Sequence, residues 1–532
     1  MKSRIWTLIA AIVLFAAVPV PDQLVAQDSQ DHKDPHHHYK VIEMGTFGGP
    51  SSYYDTLSLS DRYPGFVDPD GFARVINRHG LMVGWADTST PDPDPSYCLV
   101  PGLDGYFDCY VAHGFLWKNG VQTDLGSLSG GASSVPLWVN SSGLTVGFAQ
   151  NGQADPITGF PELRGVLWND GRIGEMGTLG GNQSFAVSVN DYGQIAGGSV
   201  NAVADPYSFY YLFLEGSTAG TQTRGFVWQN GVMRDIGSLG GPDTYPALNN
   251  RRGQVAGYSY INSTPNSDDG LPTFDPFLWD PKEGMKDLGN FGGDQTASVN
   301  GLNDRGEVVG GLWLPGNNQI HPFVWDGHKL IDMIAPPFGG TGNGEASWIN
   351  DAGEVVGLGG IPGRFCPPNT AAAGPIQRAF HWRNGVITDL GALPRSPNSE
   401  GDFINSQSQI VGISWDCNYN FTAVLWEDNS PVDLNTLVPP NSTFLMYASS
   451  ITDQGEIAAL GLLPNGNVRA ELLIPCDEKH PGVEGCDYSM VDAAAQRSSI
   501  EPTIRKAPGP MSPSTLRRRN NRVRLAALAP MN

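Results

Sequence analysis

The chain has 532 residues, of which 67 are Gly and 41 are Pro, while 16% are charged and 40% hydrophobic. That balance excludes a coiled coil, a helix-rich enzyme and a largely disordered chain, each of which needs a charge or turn-residue content that this sequence lacks. Lys and Arg number 32 against 54 Asp and Glu, a net charge of −22; so acidic a body repels phosphate backbones and anionic lipid, and nucleic acid is not an expected partner.

Residues 1–26 carry Lys2 and Arg4, then an apolar stretch from Ile5 to Val20, then a polar, Pro-containing region ending near Ala26. This is the layout of a secretory signal peptide, too short and wrongly flanked for a membrane span. No later apolar run reaches spanning length, so the expectation is a secreted protein, extracellular or held in the cell envelope. Residues 27–38, with His32, His36, His37 and His38, read as a flexible, solvated tail rather than a metal site, because no supporting ligands lie nearby in sequence.

Three short signatures then recur in fixed order between residues 39 and 475. The first is a Gly-Gly loop after a short apolar stretch, as in LGSLSGG ending at Gly131, IGSLGG at Gly241 and LGNFGG at Gly293. The second is an Asn or Asp turn opening onto an apolar run, as in VNDYGQIAG (189–197) and LNDRGEVVG (302–310). The third is an aromatic strand whose tryptophans are Trp117, Trp168, Trp228, Trp279, Trp325, Trp382 and Trp426; an eighth copy, RAELLIP (469–475), has no Trp. Asn119-Gly120, Asn230-Gly231 and Asn384-Gly385 follow this strand, and Asn-Gly tolerates the positive φ values that a two-residue hairpin demands. Each unit therefore contributes about four short strands.

Spacing selects the architecture. From Gly80 through Gly143, Gly193, Gly253, Gly306 and Gly353 the turn glycines are 47 to 63 residues apart, the size of a four-stranded propeller blade with inserts rather than of a solenoid coil. The repeat region opens on a strand without its Trp partner (Lys40 to Gly45) and ends on a lone copy of that partner (Arg469 to Pro475). The expectation is an all-β, eight-bladed β-propeller of four-stranded blades, closed by pairing of its N- and C-terminal strands; seven blades is the alternative, since the last two repeats are the most degenerate. Recurrence of the Trp at one place in every unit assigns it to packing between blades.

The combination of RAFHW (378–382), DIGSLGG (235–241) and LNDRGEVVG (302–310) resembles the HAF-type extracellular repeat of bacterial proteins. The resemblance spans about residues 39–475 and implies export and a repeat fold; it brings no reaction with it.

Six cysteines, an even number, suit an oxidising compartment. Cys98 and Cys109 share one inserted loop, Cys476 and Cys486 bracket a short segment (476–488), and Cys366 and Cys417 lie in the variable loops of neighbouring repeats. These three pairings are the expected disulfides, with free thiols as the alternative. Residues 489–532 hold eight basic and two acidic side chains and read as a disordered basic tail.

The variable loops before the Trp strands are the expected contact surface, because the repeat does not require them and equivalent loops emerge on one face. The candidate ligand-binding residues are Tyr97, Tyr106 and Tyr110 in one loop and Tyr207, Tyr210 and Tyr211 in another, since Tyr-rich loops make adaptable contacts. No local catalytic motif is present, no turn shows the oxygen spacing of a calcium loop, and no cofactor or metal is expected. His79, His113, His321 and His381 sit at repeat positions and read as structural. The sequence thus points to a secreted, non-catalytic propeller that holds an extracellular protein or glycan. The rival is an enzyme acting on extracellular polysaccharide or another polymer, with carboxylates from different blades meeting over the channel.

Overall fold

A computed structural model describes residues 36–54, 74–92, 110–214, 217, 219–267, 270–294, 296–316, 319–339, 343–370 and 372–491. The described residues form eight four-stranded antiparallel sheets set as blades around a ring. Blade 1 spans 48–124, blade 2 134–175, blade 3 184–235, blade 4 244–287, blade 5 296–332, blade 6 345–389 and blade 7 398–433. Blade 8 takes three strands from 444–475 and its outermost strand, Tyr39–Glu43, from the other end of the chain. Tyr39 pairs with Pro475 and Glu43 with Glu471. The ring is therefore closed by its own termini, with eight blades rather than seven, and no sheet edge is left between first and last repeats.

The first strand of each blade is innermost, and the first strands of blades 2 to 8 touch in succession. The hairpin between third and fourth strands turns as the sequence implies: Asn119 and Gly120 have φ of 50° and 83°, the pattern of a type I′ turn. The glycine ending the second signature has a different reason. Every first strand from blade 2 to blade 8 carries a β-bulge, and in blade 2 a Cβ on Gly147 would lie 2.0 Å from the Val135 carbonyl oxygen.

Two polar devices lock blade to blade. The Trp168 indole donates to the Leu125 carbonyl of blade 1 (3.2 Å), and the Trp426 indole to Leu390 of blade 6 (3.1 Å). On the side of the Asn-Gly hairpins, an asparagine in the turn after the first strand of blades 1 to 7 donates to the backbone of the next blade. Asn77 reaches the Asn140 carbonyl, Asn140 that of Asn190, Asn190 that of Asn250, and so on through Asn303, Asn350 and Asn405 to Thr452, at 2.8 to 3.1 Å. Each asparagine also accepts two N–H groups of its own turn, as Asn250 does from Arg252 and Gln254 (both 3.0 Å). Asp191, Asp304, Asp351 and Asp453, next in line, each accept an N–H from the preceding blade.

The two ends meet again outside the ring. His36–His37 pairs with Met490–Val491, and His36 Nδ1 lies 2.8 Å from Glu427 Oε2. This corrects the reading of 27–38 as wholly solvated and of 489 onward as a free tail: the pairing strand and the carboxylate come from distant parts of the chain, so neither was visible near the histidines. Residues 1–35 and 492–532 lie outside the described residues. No helix among the described residues is long and apolar enough to cross a membrane.

Candidate functional site

Strand alternation gives the ring two unlike faces. The Asn turns and Asn-Gly turns share one, here the turn face; the variable loops and Gly-Gly connectors share the other, the loop face. Each innermost strand runs from the loop face towards the turn face, so its early residues lie at the loop-face end of the ring's inner edge.

Those early residues divide the wall. The bulged position is Leu137, Val187 and Ala247 in blades 2 to 4, but Asn300, Ser347 and Asp402 in blades 5 to 7. The position two residues nearer the loop face is Val135, Phe185 and Tyr245 in the first group and Ser298, Glu345 and Glu400 in the second. A bulge re-aims one side chain per strand, so one arc of the ring is apolar and the other carries carboxyl, amide and hydroxyl groups.

Glu345 and Glu400 are equivalent residues of adjacent blades, and both are half-buried. Asn300 Nδ2 donates to Glu345 Oε1 (3.1 Å) and to the Ala346 carbonyl (2.9 Å). The Ser347 hydroxyl lies 3.4 Å from Glu400 Oε1. Burial pushes both carboxyls up, Glu345 being partly relieved by Asn300 and Glu400 being raised further by the charge of Glu345. Two carboxyls so placed share a tendency to keep a proton.

Below them, towards the turn face, lies an aromatic layer. Trp348, three residues after Glu345, stacks on Phe403, three residues after Glu400, with ring centroids 4.5 Å apart at 24°. Trp348 also meets Trp138 at 6.4 Å. Blades 2 and 6 face each other in a ring of eight, so these two indoles meet across the channel axis.

The tyrosines singled out from sequence separate by environment. Tyr110 and Tyr207 are half-buried, whereas Tyr210 and Tyr211 are 2% and 1% exposed. Phe209–Leu214 forms a single π-helical turn. From it Tyr210 stacks on Phe185 (6.1 Å) and the Tyr211 hydroxyl donates to Asp155 Oδ2 (2.8 Å). These two rings face the interior and brace their loop; Tyr207 is the member of that group with open surface. Tyr97 and Tyr106 lie outside the described residues, as do Cys98 and Cys109. Cys366–Cys417 and Cys476–Cys486 are disulfide-bonded. His113 and His321 pair with Asp124 (3.0 Å) and Asp332 (2.8 Å) of their own blades.

Sequence reasoning passed over Glu345 and Glu400. The signal was there: lined up by their turns, the repeats place Val135, Phe185 and Tyr245 where blades 6 and 7 place carboxyls.

No family model matches the chain, and no curated protein matches it. Among solved structures it is similar to the β-propeller domain of the trilobed protease from Pyrococcus furiosus, with 12% identity, 60% of this chain and 81% of that one covered, and a TM-score of 0.33. It is similar to an oligogalacturonate lyase from Vibrio parahaemolyticus at 10% identity, 83% and 94% coverage and a TM-score of 0.34. It is also similar to the Pyrococcus horikoshii acylaminoacyl peptidase at 11% identity, 52% and 41% coverage and a TM-score of 0.31, so the match spans less than half of that chain.

Proposed function

We propose that this is an exported, HAF-type β-propeller that binds an extracellular glycan or protein through its loop face, with the Glu345–Glu400 end of the channel at the centre of the contact. The observation that carries this reading is the coincidence on one face of the unequal loops and the polar arc of the channel wall. Repeat physics explains the turn face, with its Asn ring and tight hairpins, but requires neither the loops nor the carboxyls. Surfaces that a scaffold does not need are where binding groups collect. The two disulfides agree with an oxidising compartment.

The test is a pull-down of cell-surface glycans and envelope extract with the mature chain. Substituting open loop-face residues, Val203→Asp (53% exposed) and Phe365→Asp (58% exposed), abolishes saturable binding on this reading, whereas Tyr192→Ala on the turn face (72% exposed) leaves it intact. Equal loss from both faces, or none from either, refutes it.

A second reading, an enzyme acting on extracellular polysaccharide, is favoured by the acid pair itself, since a pair that holds one proton between two carboxyls offers the general acid and the ionised partner that cleavage of a glycosidic bond uses. Release of reducing ends from a polysaccharide panel, lost in Glu400→Gln, would support it; a panel left intact by the wild-type chain rules it out for those polymers.

A further inference from the structure

The polar arc has more acceptors than donors. Glu345 and Glu400 present four oxygens, and the described donors aimed at them are one N–H of Asn300 and the Ser347 hydroxyl. Asn300, 1% exposed, spends its Nδ2 on Glu345 and Ala346, and its Oδ1 is buried without a hydrogen-bond partner among the described residues. A buried acceptor left unsatisfied is destabilising, so this oxygen marks a place where a donor belongs. Water supplies donors, but a cation that displaces the proton the two carboxyls tend to share also meets their charge, in a body of net charge −22.

Beneath this acceptor cluster lies the Trp348–Phe403 stack, both rings half-buried and so retaining open surface. Aromatic faces attract cations through the ring quadrupole and carry the apolar C–H face of a sugar ring. Carboxyls above and stacked rings below are complementary to a flat ring that bears an ammonium group on one edge. A lysine side chain matches the carboxyls, but its flexible stem makes poorer use of a stacked platform.

We propose that Glu345, Glu400 and Asn300, over Trp348 and Phe403, form a subsite for the primary ammonium group of an unacetylated amino sugar in a glycan chain. This rests on the reading of the loop face as a binding face and names the chemistry it selects. The ammonium donates to the two carboxyls, which Asn300 holds in place through Glu345, and the sugar ring lies against Trp348.

Isothermal titration of the mature chain with the glucosamine trimer, the N-acetylglucosamine trimer and trilysine tests it. The expected result is saturable binding of the glucosamine trimer, at least about tenfold weaker binding of the acetylated trimer, which has lost the charge, and a similar loss in the isosteric variants Glu345→Gln and Glu400→Gln. Equal binding of both trimers, tighter binding of trilysine, or retained affinity in both variants overturns the proposal. A readout on the wild-type chain covers the case in which a variant misfolds: carbodiimide coupling of the bound trimer followed by peptide mass spectrometry. Linkage to the peptide holding Glu345 or Glu400 supports the subsite, and linkage confined to other carboxylates overturns it. If envelope pull-down succeeds while the trimer fails to bind, the subsite falls and the loop-face reading stands.

Discussion

Glu471 of blade 8 stands directly opposite Glu43 of the N-terminal strand in the seam that closes the ring. The equivalent place on the third strand of every other blade holds Phe or Val, each with no exposed surface, from Phe115 to Val424. Glu471 is equally buried, neither of its oxygens makes a well-formed hydrogen bond among the described residues, and Arg469 of the same strand is paired with Glu43 at 3.2 Å. Burial, with the charge of Glu43 added and only partial relief from Thr443 and Arg469, pushes its carboxyl up to about 8. The joint that makes the propeller a ring thus contains an acid that folds best with its proton on.

The sign follows from that direction. An acid whose affinity for protons is higher in the folded state stabilises fully below its unfolded value and loses that contribution as pH rises through the folded one. Between the ordinary 4.5 and about 8, Glu471 removes about 1.4 kcal/mol per pH unit. Thermal melts of the wild type are expected to fall from pH 5 to pH 8. In Glu471→Gln, which does not titrate, and Glu471→Val, which restores the residue type of blades 2 and 7, the fall is shallower. Parallel pH profiles for wild type and both variants would remove Glu471 from this role.

The Asn ring yields a graded series. Asn250 is 4% exposed and serves both its own turn and the Asn303 carbonyl. Asn250→Ala strands buried backbone groups and is expected to cost about 2–3 kcal/mol in denaturant unfolding. Asn250→Thr copies Thr452, whose hydroxyl accepts from Gln454 and Glu456 within its own turn, and loses chiefly the inter-blade bond, about 1 kcal/mol. Equal losses in both variants would show that the reach to the next blade contributes nothing.

How far the sequence could be read depends on whether a residue repeats. Asn119-Gly120, the Trp strands and the turn asparagines recur, and recurrence exposed both the blade and its closure by Tyr39–Glu43. What occurs once could not be read in that way. Tyr210 and Tyr211 were expected at a ligand, but their composition says nothing of the turn that directs them inward against Phe185 and Asp155. Glu345 and Glu400 each stand between the recurring signatures, at a position that no signature covers; only the ring geometry brings the two side by side. His36 finds its carboxylate 391 residues away, a separation that no local pattern reports.

The disulfides should differ in weight. Cys366–Cys417 joins blades 6 and 7 across 51 residues, and Cys476–Cys486 closes only 10. On loop entropy the double variant Cys366→Ser/Cys417→Ser is expected to lose about 4 kcal/mol and Cys476→Ser/Cys486→Ser about 2–3 kcal/mol. Denaturant unfolding of both variants measures the order, and a larger loss from the short loop contradicts the entropic account.

The acid pair is testable without any ligand. Because the charge of Glu345 raises Glu400 beyond what burial alone does, Glu345→Gln is expected to bring the Glu400 carboxyl down while leaving it above the ordinary carboxylate range, since burial remains. The Asn300 bond survives, as the Gln carbonyl accepts what Glu345 Oε1 accepted. A lowered folded value also shrinks the stability lost on raising pH, by about 1.4 kcal/mol for each unit of change. Glu345→Gln should therefore gain on the wild type at pH 9 relative to pH 5. Carbon-detected NMR titration of the Glu400 carboxyl reads the first effect and melts at the two pH values read the second. A Glu400 midpoint that does not move would mean that the two carboxyls do not sense each other, and the single polar arc would divide into two unrelated acids.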